Sequence, residues 1–347
     1  MKADSQRAAS LQEGTYMKAL FFATRDSNDL MRSFLRHVLF SVFSITAVLA
    51  NSSLEIRADE NDQAPIAGFV PKKLPTYLAL GLYGISAAIH WIYFFIVPPR
   101  PRYMLSLPIG MLAMTIGFIL RLQYIAKPSN IGSFIQMDLF ILLSPCLFLA
   151  TDYMLLSRLA ATFDEKVANE CLLIRRSLIV KIFVWSDVST FLLQASGGGL
   201  SSQTDRNIVN IGNKLTMVGL VLQAVSFLLF TVSLFIFGMR IKSRFPEAWS
   251  PFNSQSFKLI SRQQIDDWRI LYYLMCVTCV GISIRSIFRI AEFAGGFDGY
   301  LAVHEGYFYI FDALPLWISM SLFCLVWPVR VLNTKHTSEH HEFIVRR

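Results

Sequence analysis

Residues 212–239 read GNKLTMVGLVLQAVSFLLFTVSLFIFGM, with no charged side chain after Lys214. About 20 apolar helical residues cross a bilayer core about 30 Å thick. Hydrocarbon offers the backbone no hydrogen-bond partner, so a continuous apolar run of this length must be helical. Six more such stretches lie near 74–97, 104–124, 131–155, 178–196, 270–291 and 306–328. The pattern predicts an all-α membrane protein, a seven-transmembrane helix bundle.

Composition agrees with this. Hydrophobic residues make up 54% of the 347 and charged residues 16%, against about 25% charge in a soluble domain. The spans leave no room for a second globular domain. The formal charge of +8 is read by side of the membrane, not as a nucleic-acid patch, so no nucleic-acid partner is expected. If the residues before the first span lie outside, the inner loops and tail carry 17 Lys and Arg against six on the other side after residue 50. The positive-inside rule then puts the N-terminus outside and the C-terminus in the cytosol.

The expected organisation is an N-terminal segment 1–50, a short ectodomain 51–73, the seven-helix domain 74–328 and a cytosolic tail 329–347. Within the first segment, basic residues from Met31 to Arg36 precede an apolar run at 38–50. That run suits the core of a signal peptide; the alternative is an uncleaved eighth helix. Asn51-Ser52-Ser53 is the one N-x-[ST] triplet in the chain and makes Asn51 the candidate glycosylation site. The loop 240–269 mixes basic residues with Phe245, Trp249, Phe252 and Phe257, as an interfacial segment would.

Ionisable groups inside a span cost about 2.5–3.5 kcal/mol on insertion scales unless paired or hydrated, so they point to function. Arg285, Arg289 and Glu292 follow at i, i+4 and i+7 on the sixth span and share one helix face. Glu305, Tyr309 and Asp312 repeat those offsets on the seventh. A short loop, 293–304, with Asp298 and His304, joins the two spans, and the two stripes are expected to face each other. They are either a structural ion-pair lock or the wall of a hydrated cavity toward the outer leaflet. Arg121, Gln136, Gln194 and Gln223 point to the same half of the membrane. Asp187, mid-way along the fourth span, is a candidate proton carrier or an interhelical hydrogen-bonding group. His90 reads as a packing residue. Pro145 and Pro315 are expected to interrupt the third and seventh spans, and Gly197-Gly198-Gly199 to stop the fourth.

Other seven-helix chemistries lack their residues. The last span has no lysine for a retinal Schiff base, and the spans offer a single histidine, with no companion at i+4. The lone Cys276-x-x-Cys279 pair reads as packing, and no metal or other cofactor is expected. No nucleophile–base set is present, so no enzyme activity is expected. What survives is a transporter or flippase, or a seven-helix receptor or lipid sensor signalling through cytosolic loops.

The strings Arg285-Ser-Ile-Phe-Arg289-Ile-Ala-Glu292-Phe, Gly296-Phe-Asp298-Gly-Tyr300, His304-Glu305 and Tyr309-Ile-Phe-Asp312-Ala-Leu-Pro315 resemble the fungal lipid-translocating exporter family, also called aminocholesterol-resistance-like. Ser144-Pro145, Phe183 to Gly199 and Gly219-Leu220 with Gln223 are similar too. The resemblance covers about residues 68–328. It implies a seven-helix protein of the plasma membrane or an endomembrane, linked to sphingoid long-chain base release, sterol-analogue and drug resistance and, in one branch, porphyrin uptake. The second span departs from the pattern. Met114 stands where many relatives carry a glutamate, and Phe118 replaces a usual tyrosine, so Arg121 needs another partner.

The resulting expectation is a lipid-translocating exporter or flippase-like protein whose partners are membrane lipids and an amphipathic lipid substrate such as a sphingoid long-chain base. The candidate substrate or translocation residues are Arg121, Asp187, Gln194, Arg285, Arg289, Glu292, His304, Glu305 and Asp312. A cationic head would visit Glu292, Glu305 and Asp312, while the arginines hold phosphate or balance charge.

Overall fold

The computed structural model describes residues 71–98, 100–128, 130–201, 203, 205–249, 265, 267–295 and 299–332. The 38–50 run, Asn51, most of the ectodomain, Asp298, most of the loop 240–269 and residues 333–347 lie outside the described residues. Among the described residues all regular structure is helical. Seven helices are long and apolar enough to cross a membrane. These are α1 (Lys73–Ile96), α2 (Ser106–Ala126), α3 (Ile131–Ala160), α4 (Arg176–Ser201), α5 (Arg206–Arg244), α6 (Trp268–Gly295) and α7 (Glu305–Leu325).

Each span packs on its neighbours in sequence, and α7 returns to α1 to close the bundle. Helix α3 is the central element: 94% of its apolar window is buried, against 33% for α1. Its Tyr153 ring is edge-on to Phe230 of α5 at 4.6 Å and tilted against Phe183 of α4 at 5.2 Å. The outward faces stay apolar, for example Ile85, Leu228, Leu229 and Ile287. That distribution suits lipid, where contact between helices comes from close packing rather than from hydrophobic burial.

Three local expectations are corrected. Pro145 lies inside a continuous α3 and does not interrupt it. The triple glycine does not stop α4 either; the helix runs through it to Ser201. A side chain at Gly197 would meet the Thr216 backbone nitrogen at 2.6 Å and the Gly212 carbonyl at 2.7 Å, so the glycines let α4 and α5 touch backbone to backbone. Small residues serve this purpose in membrane helices. Pro315, finally, does not break α7. It begins the regular α-helical part, Leu314–Leu325, after a π-helical turn at Phe308–Ala313.

Candidate functional site

The π-helical turn decides the site. It inserts extra width into α7, a feature that often sits at functional positions. Asp312 lies in that turn, fully buried. Its Oδ1 is 2.5 Å from Arg285 Nε and its Oδ2 is 2.7 Å from Arg289 Nε. The two arginines stand one turn apart on α6, so one carboxylate bridges both. Arg289 Nη1 also reaches Glu292 Oε2 at 3.0 Å, one turn further along the same helix. The Tyr83 hydroxyl of α1 donates to the Ala313 carbonyl at 2.7 Å and fixes the end of the turn from the other side.

The second half of the network joins α7 to α2. Arg121 Nη2 is 3.0 Å from Glu305 Oε1, and the Lys72 backbone N–H donates to Glu305 Oε2 at 2.7 Å. Between the two halves sits the Phe308 ring, with the Arg121 Cζ 4.6 Å and the Arg289 Cζ 5.4 Å from its centroid. Cations over an aromatic face gain about 0.5–2 kcal/mol each. The Tyr309 ring lies under Arg121 as well, 5.6 Å from its Cζ, and the Tyr309 hydroxyl is 2.8 Å from Thr76 Oγ1 of α1.

A partly open cavity of about 150 Å³ lies against this network. Arg121, Asp138, Arg289 and Glu292 are its charged lining. Phe134, Met137, Ile141, Leu142, Phe293 and Phe308 are its apolar lining, and Gly198, Gly199 and Asn213 of α4 and α5 line it too. Charged and apolar surfaces thus meet inside a single cleft.

The family description for RTA1-like proteins matches residues 107–335. The chain belongs to the RTA1-like family. It is an integral, multi-pass membrane protein of that family. The Saccharomyces cerevisiae protein named "Protein RTA1" is 32% identical over 222 residues, covering 63% of this chain and 64% of the relative. The yeast "Protoporphyrin uptake protein 1" is 30% identical over 207 residues, 60% of this chain and 62% of the relative. The yeast "Sphingoid long-chain base transporter RSB1" is 26% identical over 310 residues, 82% and 78%. The chain spans less than two thirds of the length of the first two relatives. No solved structure matches the chain.

In this RTA1-like bundle, Arg121, Arg285, Arg289, Glu292, Glu305 and Asp312 come together, as the two sequence stripes suggest. The pairing differs from a simple face-to-face match, because Glu305 turns to Arg121 and not to α6. That contact supplies Arg121 with an acid from α7; Met114, one face-repeat earlier on α2, is fully buried. The other three candidates stand apart. His304 is exposed, its ring 4.1 Å from that of Tyr300 and its Nδ1 2.9 Å from the Tyr300 carbonyl. Gln194 Nε2 donates to Gln223 Oε1 at 2.9 Å, an α4–α5 bridge. Asp187 is buried beside the Tyr153 hydroxyl, within the bundle and outside the ion-pair network. His90 is a packing residue, with Nδ1 2.6 Å from the Ser86 carbonyl.

Sequence reasoning missed Asp138. An acid in an apolar run, seven residues before Pro145, carries the same signal as Asp187. Asp152 was missed too; its Oδ2 accepts from Thr278 Oγ1 at 3.0 Å and links α3 to α6.

Proposed function

We propose that this chain moves amphipathic lipids across the bilayer without altering them chemically, with sphingoid long-chain bases as the leading substrate class. One observation carries the reading: a single cleft lined by both charged and apolar side chains. An amphiphile presents the same two kinds of surface. Charged groups inside a membrane are kept where they meet a cavity or one another, and here they do both. The relative named as a sphingoid long-chain base transporter and the one named for protoporphyrin uptake support a cargo that is both apolar and charged.

The proposed orientation puts the N-terminus outside and the C-terminus in the cytosol, from the excess of Lys and Arg on one side. The cleft then opens toward the exoplasmic half, and the plasma membrane is the proposed location. A cavity enclosing a whole drug-sized ligand runs from about 300 Å³ upward. At about 150 Å³, this one holds a head group while the tail stays in lipid between helices.

The test is reconstitution of the full chain in liposomes with a panel of fluorescent lipids bearing amine, choline and phosphate heads. The expected result is faster flipping of the long-chain base than in protein-free liposomes, lowered by Asp312→Ala. No rise for any head group would reject translocation.

A further inference from the structure

The charged groups of the site do not balance. Three arginines, Arg121, Arg285 and Arg289, are matched by Glu305, Asp312 and Glu292, each acid within 3.0 Å of an arginine nitrogen. Asp138 is a fourth carboxylate. It lies on the central helix α3 and lines the cleft with Arg121, Arg289 and Glu292. It feels Arg289, Arg285 and Arg121 at a distance but makes no hydrogen bond or ion pair with any of them. The close ion pairs of the three arginines all go to the other three acids. The glycine run of α4 lies beside the Asp138 carboxylate: a side chain at Gly198 would sit 3.8 Å from Asp138 Oδ2. The carboxylate is thus a cleft-lining group beside α4.

We infer that Asp138 is the head-group site of this cleft, and that the head it takes is a monocationic ammonium on an aliphatic chain. This deepens the proposed lipid-moving function and rests on it. A carboxylate beside apolar walls is costly to leave uncompensated, and one incoming positive charge restores neutrality. Phosphate fits less well. Arg121 and Arg289 reach the cleft wall but are already held by Glu305, Glu292 and Asp312, so an anion must compete with three carboxylates and would lie against Asp138. The apolar lining from Phe134, Ile141, Leu142 and Phe293 receives the first methylenes.

The experiment measures binding to the purified full chain in lipid nanodiscs. The probes are a fluorescent long-chain primary amine, its uncharged N-acetyl counterpart and a long-chain alkyl phosphate. The amine is expected to bind about tenfold more tightly than the amide, as a charge-assisted hydrogen bond in a partly desolvated site would give. Asp138→Asn should erase that preference and Asp138→Glu should keep most of it. Gly198→Leu, which fills the space before the carboxylate and favours helix, should block the amine even if Asp138→Asn proves poorly folded. Equal affinity for amine and amide, tighter binding of the phosphate, or a preference that survives both Asp138→Asn and Gly198→Leu would overturn the assignment. Lipid flipping by the unaltered protein is read separately. Flipping without amine preference sinks Asp138 alone, while amine preference without flipping sinks translocation alone.

Discussion

The Arg121 guanidinium on α2 and the Glu305 carboxylate at the start of α7 meet at 3.0 Å across 184 positions of sequence. Both side chains are less than a tenth exposed. Burying two charges is expensive, and removing one partner strands the other, at about 3–5 kcal/mol. Glu305→Gln is therefore expected to lower the thermal unfolding temperature sharply. The double substitution Arg121→Met with Glu305→Met should recover most of the loss, since a well-packed apolar pair often replaces a buried ion pair at little cost. Thermal unfolding in detergent checks this. A double variant as unstable as the single one would mean that the ion pair is not the relevant contact.

Close approach of α4 and α5 depends on Gly197, where a side chain would collide with the Gly212 carbonyl and the Thr216 backbone. Overpacking of this kind costs about 1–3 kcal/mol. Gly197→Val should destabilise the protein by that order. Gly81, with open space around it, should accept alanine and gain up to about 1 kcal/mol from helix propensity. Comparing the two variants by thermal unfolding separates a packing role from a general glycine effect.

The Tyr83 hydroxyl holds the Ala313 carbonyl at the end of the π-helical turn that carries Asp312. Tyr83→Phe keeps the ring and removes that bond, a loss of about 0.5–1.5 kcal/mol. Because the turn sets the aim of Asp312, the variant is expected to slow lipid flipping by more than its stability loss explains. Flipping assayed well below the unfolding temperature checks this; an unchanged rate would show that the turn needs no support from α1.

Outside the spans, Asp267 accepts from Arg269 at 2.9 and 2.7 Å, and Arg269 Nη1 donates to the Trp249 carbonyl at 3.1 Å. The hydrogen bonds from Arg269 hold the Asp267 carboxyl below its usual range. A depressed folded-state value means the contribution is present above the unfolded value of about 3.9 and is lost as pH falls through the folded one. The stability gap between the parent protein and Asp267→Asn should thus stay constant from about pH 5 to 7 and narrow below about 4. Unfolding measured across that range reads it, and a gap that widens in acid would reverse the sign.

The seven spans were legible because each is a long apolar run that admits only a helix. Six members of the ionic network were legible because charge inside a span is costly and the offsets i, i+4 and i+7 share a face. The partners were not. Glu305 turning to Arg121 depends on how α7 lies against α2, which no single-helix periodicity contains. The π-helical turn at Asp312 leaves no pattern distinct from ordinary helix before a proline. Gly197-Gly198-Gly199 reads as a helix stop because glycine lowers helix propensity, and only the backbone of α5 across from it shows why the helix continues. Asp138 carried a readable signal, the cost of a carboxylate in hydrocarbon, but its place in the cleft comes from α3 being central.

The most direct test asks whether the cleft is the path. Gly199 lines it, and a side chain there meets nothing within 4 Å of its first carbon, so Gly199→Trp should fill the cleft and leave the fold intact. Initial flip rates of a fluorescent sphingoid base are compared in liposomes holding the parent protein, the variant or no protein. The expected result is a rate well above protein-free liposomes for the parent and a return to the protein-free rate for Gly199→Trp. Equal rates for the two proteins would contradict it.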